Sequence, residues 1–130
     1  MFLSGQRPEH LGISNNRLSD CPQSPNCVSS LTDSETHYIA PFAFNKPIDM
    51  EMQKLLQILE KQRGFKIISS NENYLHVECK SFILGFVDDL EFFLDIDSRA
   101  CHVRSASRLG YSDLGVNRKR VEKIRQLFND

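Results

Sequence analysis

The sequence predicts a two-layer α+β domain, one curved antiparallel sheet carrying two helices on one face, and three observations predict it. Ile48, Met52, Leu55, Leu56 and Leu59 recur at helical spacing, as do Leu114, Val121, Ile124 and Phe128 near the C-terminus. Between these two stripes lie four strand-like runs, the clearest being 74–80, where Leu75, Val77 and Cys79 alternate with Tyr74, His76, Glu78 and Lys80. With 130 residues, 40% of them hydrophobic, the chain has the length of one domain able to bury a core without staples.

Residues 1–20 lack apolar periodicity and read as a flexible N-terminal arm, with residues 21–130 as the single α+β domain. They also lack a basic stretch followed by an apolar one, so they do not resemble a secretory signal. As written, the chain reads as cytoplasmic; a periplasmic or lumenal protein whose signal had been removed would read the same. No run approaches the roughly 18 apolar residues of a membrane span. The formal net charge of −1 argues against nucleic acid as a partner.

Cys21-Pro-Gln-Ser-Pro-Asn-Cys27 reads as a proline-stiffened loop. Cys21 and Cys27 would close a disulfide in an oxidising compartment and stay free in cytosol. Cys79 and Cys101 sit at apolar strand positions, as small buried hydrophobes do. Residues 37–44 form a candidate first strand, with Pro41 pointing to an edge or bulge. Pro47 opens the first helix and Gly64 stops it. Runs 65–69 and 74–80 make a hairpin, 81–85 a link, and 86–96 and 100–107 a second strand pair; the last helix begins near Ser112 or Asp113. The order is therefore β-α-β-β-β-β-α, with the face away from the helices open. One half of the TATA-box-binding-protein fold has the same order, a likeness of topology alone.

The densest polar stretch is Arg104-Ser-Ala-Ser-Arg-Leu-Gly-Tyr-Ser-Asp-Leu-Gly-Val-Asn-Arg118, with three arginines and three serines in fifteen residues. Alternation sends Ser105, Ser107 and Asp88 toward the helices, and His102, Arg104, Arg108, Asp89 and Glu91 to the open face. Asn117 completes the buried stripe of the last helix, so its amide needs partners; Asp88, Asp89, Ser105, Ser107 and Asn26 are candidates for one structural polar network. Arg104, Arg108 and Arg118, with Ser112 and Asp113 at the helix start, are candidate ligand-binding residues for a phosphate or carboxylate. Adjacent Asp88 and Asp89 point to opposite faces and cannot act as one dyad. No Gly-rich phosphate loop, zinc spacing or C-x-x-C pair is present, so the sequence assigns no metal, no cofactor and no catalytic residue.

Three motifs, residues 21–30, Gly85-Phe-Val-Asp-Asp89 and residues 104–118, resemble the family catalogued as domain of unknown function 1499, over about residues 18 to 128. The resemblance implies one shared site or one shared structural knot. Many members of that family are exported or membrane-anchored, which keeps both compartments open. The functional expectation is a non-catalytic domain binding a small anionic or polar molecule, or a protein segment, beside the last helix. A hydrolase- or transferase-like enzyme using the same cluster, and an interaction module docking partners on the open sheet face, are the alternatives.

Overall fold

The computed structural model describes residues 6–81, 85–109 and 115–130. Its elements run β1 (Ile13–Ser14), β2 (Arg17–Leu18), β3 (Cys27–Ser29), β4 (Phe42–Ala43), α1 (Ile48–Glu60), β5 (Phe65–Ser70), β6 (Tyr74–Lys80), β7 (Val87–Asp95), β8 (Ala100–Ser107) and α2 (Val116–Asn129). The main sheet has the order β3-β8-β7-β6-β5, with β4 also paired to β8, and its named pairs are antiparallel. β5 to β8 form a meander, since each antiparallel strand returns directly beside its predecessor. The protein is thus an α+β domain, a large antiparallel sheet with two helices.

The helices share one face of the sheet because their stripes need the same apolar partner. Met52, Leu55 and Leu59 of α1 and Val121, Ile124 and Phe128 of α2 enclose a core with Leu75, Val77, Leu90, Phe92, Leu94 and Val103. Phe42 of β4 packs its ring 5.8 Å from that of Phe92 and 5.4 Å from that of Phe128, tying the sheet edge to α2.

Several boundaries differ from the sequence expectation. Of the strand expected over 37–44, only Phe42–Ala43 pairs in the sheet, while Tyr38 makes an isolated bridge to Ser29. The reason is Pro41, which has no N–H, together with Arg125, which takes the Ala40 and Pro41 carbonyls. The stretch 27–29, read as loop, is a strand along β8. Gly64 lies beyond the helix end at φ +82°, and a Cβ there would stand 2.6 Å from the Lys80 carbonyl oxygen. α2 begins at Val116, preceded by a left-handed Gly115; Ser112, Asp113 and Leu114 lie outside the described residues, as does most of the expected 81–85 link.

The face away from the helices is not open. β1 and β2 form a hairpin joined by Asn15 and Asn16, both at positive φ, the geometry of a two-residue turn that asparagine tolerates. Leu18 is 1% exposed and packs with Tyr74 and Phe93, flanked by Ile13 and Leu31. Residues 6–20 therefore rest on the sheet, and β7 is covered on both faces along nearly its whole length. No helix among the described residues is long and apolar enough to cross a membrane.

Candidate functional site

Two polar groups flank the sheet, one on each face. On the helix face, Asn117 in the first turn of α2 is fully buried. Its Oδ1 accepts from Ser105 Oγ (2.6 Å) and from Arg120 Nη1, and its Nδ2 donates to Ser107 Oγ (3.0 Å) and the Asn26 carbonyl (3.2 Å). Arg120 also donates to Ser105 Oγ at 3.0 Å and to Asp88 Oδ2 at 2.7 Å. This group joins β7, β8, α2 and the residue entering β3. Every member is bonded, so it locks these elements together without leaving a buried amide unpaired.

The outer face carries a longer row. Arg108 donates through Nε to Asp89 Oδ2 (2.8 Å) and through Nη2 to Asp89 Oδ1 (2.8 Å) and Glu78 Oε2 (2.7 Å). His76 Nε2 lies 2.8 Å from Asp89 Oδ1, and Arg7 reaches Glu78 from the arm at 2.6 Å. Burial works against the Asp89 charge, but the bonds from Arg108 and His76 outweigh it and hold the carboxyl below its ordinary range. Glu78 is held low in the same way by Arg108 and Arg7, against its own desolvation. The Arg108 pKa is raised by its bonds to Asp89, so the guanidinium is a permanent cation.

Further along the row, Glu91 is fully buried. Its Oε2 accepts from Tyr74 Oη (2.6 Å) and from the Gly12 amide of the arm (2.7 Å). Burial and the neighbouring Glu91 push the Tyr74 phenol far above its usual value, keeping it a donor. Arg104, 2% exposed, sends Nη2 to His10 Nε2 (3.2 Å) and to the Asp20 carbonyl (3.3 Å), while its Nη1 stands 3.6 Å from Glu91 Oε1. Burial lowers the Arg104 pKa and the Glu91 charge opposes that shift. Two atoms here are buried with no hydrogen-bond partner among the described residues, Arg104 Nε and Glu91 Oε1.

The structure brings Asp88, Ser105, Ser107, Asn117 and the Asn26 carbonyl together, whereas Asp89 belongs to the other face. The expected convergence of Arg104, Arg108 and Arg118 is absent. β8 alternation points the first two through the outer face, whereas Arg118 lies on α2 and donates to the Tyr38 and Thr36 carbonyls. Ser112 and Asp113, the other candidate ligand-binding residues, fall outside the described residues. Cys21 and Cys27 form a disulfide.

Sequence reasoning missed Arg120, whose long stem reaches back from off the apolar stripe, and the pairing of Tyr74 with Glu91. It also missed the arm residues Arg7, His10 and Gly12. The Asn15-Asn16 pair was the signal for that hairpin. Ser30 Oγ stands 3.1 Å from His102 Nδ1, but the hydroxyl also accepts from the Val103 amide, which fixes it as a backbone tie. Burial lowers the His102 pKa, so the ring is neutral near pH 7. His76, Glu78 and Asp89 present ligand-type atoms within 4.8 Å of one another. The Arg108 guanidinium already supplies the positive charge among them.

The fold and the charged row define a small α+β domain with a roofed, polar outer sheet face. Residues 17–128 match the family described as "Protein of unknown function (DUF1499)", and the chain belongs to that family. No curated protein matches it.

Proposed function

We propose that the protein is a small binding domain whose site lies on the outer sheet face, beneath residues 6–20, and takes a small polar molecule on Arg104 and Glu91. One observation supports this reading: Arg104 Nε and Glu91 Oε1 are buried without a hydrogen-bond partner among the described residues, on two side chains that approach each other at 3.6 Å through Arg104 Nη1. Leaving each unmet costs on the order of 1–3 kcal/mol. A simple anion would satisfy Arg104 and be repelled by Glu91. A hydroxy acid or a zwitterion brings both an acceptor for Nε and a donor for Oε1, so it is the favoured class.

Leu18 packs with Phe93, which is buried, so Phe93 itself offers little apolar surface to a docking partner. The Cys21–Cys27 disulfide favours a periplasmic or lumenal compartment over the cytoplasm.

A thermal-shift panel of amino acids, hydroxy acids and inorganic phosphate, followed by calorimetry on any hit, tests the reading. The first two classes should raise the melting temperature of the wild-type protein and leave Arg104→Met unmoved. An equal shift in both proteins, no shift in either, or one ordered water bridging Nε and Oε1 in a crystal would overturn it.

A further inference from the structure

The Cys21–Cys27 disulfide sits where the chain passes from the outer face to β3. Upstream, the Asp20 carbonyl accepts from Arg104. Downstream, the Asn26 carbonyl accepts from the Ser107 amide and from Asn117. Between them the described hydrogen bonds are local, Cys21 N to Asp20 Oδ1 and Ser24 Oγ to Asn26 Oδ1. Among the described residues, the sulfur–sulfur bond is therefore what fastens residues 21–25 to the start of β3. When it breaks, the first fixed point after the arm moves from Cys21 to Asn26, and a longer tether makes docking of the arm costlier in entropy.

The two cysteines differ in exposure. Cys27 is 1% exposed, whereas Cys21 is half-buried and lines a cleft of about 370 Å³ together with Asp33 and His37. Cys79 and Cys101 are buried among the core side chains facing the helices and take no part. Burial pushes the Cys79 thiol up to about 12.

We propose that Cys21–Cys27 is an exchange site for a dithiol reductant, and that its reduction loosens residues 6–25 from the outer face. A thiolate of the dithiol attacks Cys21 Sγ, the bond to Cys27 breaks, and the electron pair leaves on Cys27 sulfur, which takes up a proton. The second thiol of the reductant then attacks the mixed disulfide and releases Cys21 as a thiol. The dithiol ends as a disulfide, having given two electrons to form two cysteines. Access to Arg104 as a consequence rests on the function proposed above; release of the arm does not.

The full chain is compared oxidised, reduced with dithiothreitol, and as Cys21→Ser. Tryptic cleavage after the exposed Arg17 and hydrogen exchange at the Gly12 amide report the arm, and exchange along β7 reports the body. Reduction should speed cleavage and Gly12 exchange on the order of tenfold with β7 unchanged, and Cys21→Ser should do so without reductant. Three results would overturn the proposal: an unchanged arm with both thiols free, a parallel rise in β7 exchange, or a disulfide that the dithiol leaves intact in the folded protein. None of these depends on a ligand, so they stand apart from the thermal-shift result.

Discussion

Ser105 Oγ donates to Asn117 Oδ1 across 2.6 Å, joining the middle of β8 to the first turn of α2 inside the core. The bond matters because, among the described residues, α2 has no side-chain cap hydrogen bond at its start. Its N-terminal turn is held down by the Asn117 amide, which makes that amide a structural anchor and yields the first prediction.

Replacing Asn117 with Ala leaves Ser105, Ser107 and the Asn26 carbonyl each short of a partner. Urea unfolding should show a loss on the order of 1–3 kcal/mol. A double-mutant cycle with Arg120→Met should show coupling, because both side chains bond Ser105. Strict additivity, or an unchanged midpoint for Asn117→Ala, would refute the anchor.

Arg108→Met leaves Asp89 with His76 and Glu78 with Arg7 as the remaining described partners, and should cost on the order of 1–3 kcal/mol at neutral pH, less than a fully stranded buried charge. The pH dependence has a definite sign. Both carboxyls titrate lower in the folded state than in the unfolded chain. Their stabilisation is complete above the unfolded values and is lost as pH falls through the folded ones. The gap between wild type and Arg108→Met should therefore close as pH falls from about 5 to about 2. A gap that stays constant over that range would show that Arg108 acts through packing instead.

Gly64→Ala places a methyl group 2.6 Å from the Lys80 carbonyl oxygen at a residue with φ +82°. The backbone conformation alone should cost roughly 1–3 kcal/mol, and the contact with β6 adds to it. Denaturant titration gives the value, and a stability equal to wild type would mean that the β5–β6 junction can shift.

How far the sequence was legible follows from period. Cys101 and Val103 set the parity of β8, which is enough to send Ser105 and Ser107 inward and Arg104 and Arg108 outward. The same count separates Asp88 from Asp89. The first helix was legible from its stripe, and Asn117 from its place in the second. What escaped had no period to read. β1, β2 and β4 are two residues long and β3 three, too short for alternation to register. Arg118 was grouped with Arg104 because both are close in sequence to the helix start, yet a strand and a helix packed on it direct neighbouring residues to opposite sides of the sheet. The arm's contacts run from Arg7 to Glu78 and from Gly12 to Glu91. Such distant pairings leave no trace in local patterning.

The double-sided burial of β7 carries a consequence for assembly of the chain. Asp88 faces one side and Asp89 and Glu91 the other, each beside its own donor. Sliding this strand by one position would thrust two carboxylates in among the Val77 and Val103 side chains and pull Asp88 away from Arg120. Stranded charges of that kind cost several kcal/mol apiece. The three acids therefore work as keys that fit a single alignment, adding to the penalty that Leu90, Phe92 and Leu94 already set on a misaligned strand.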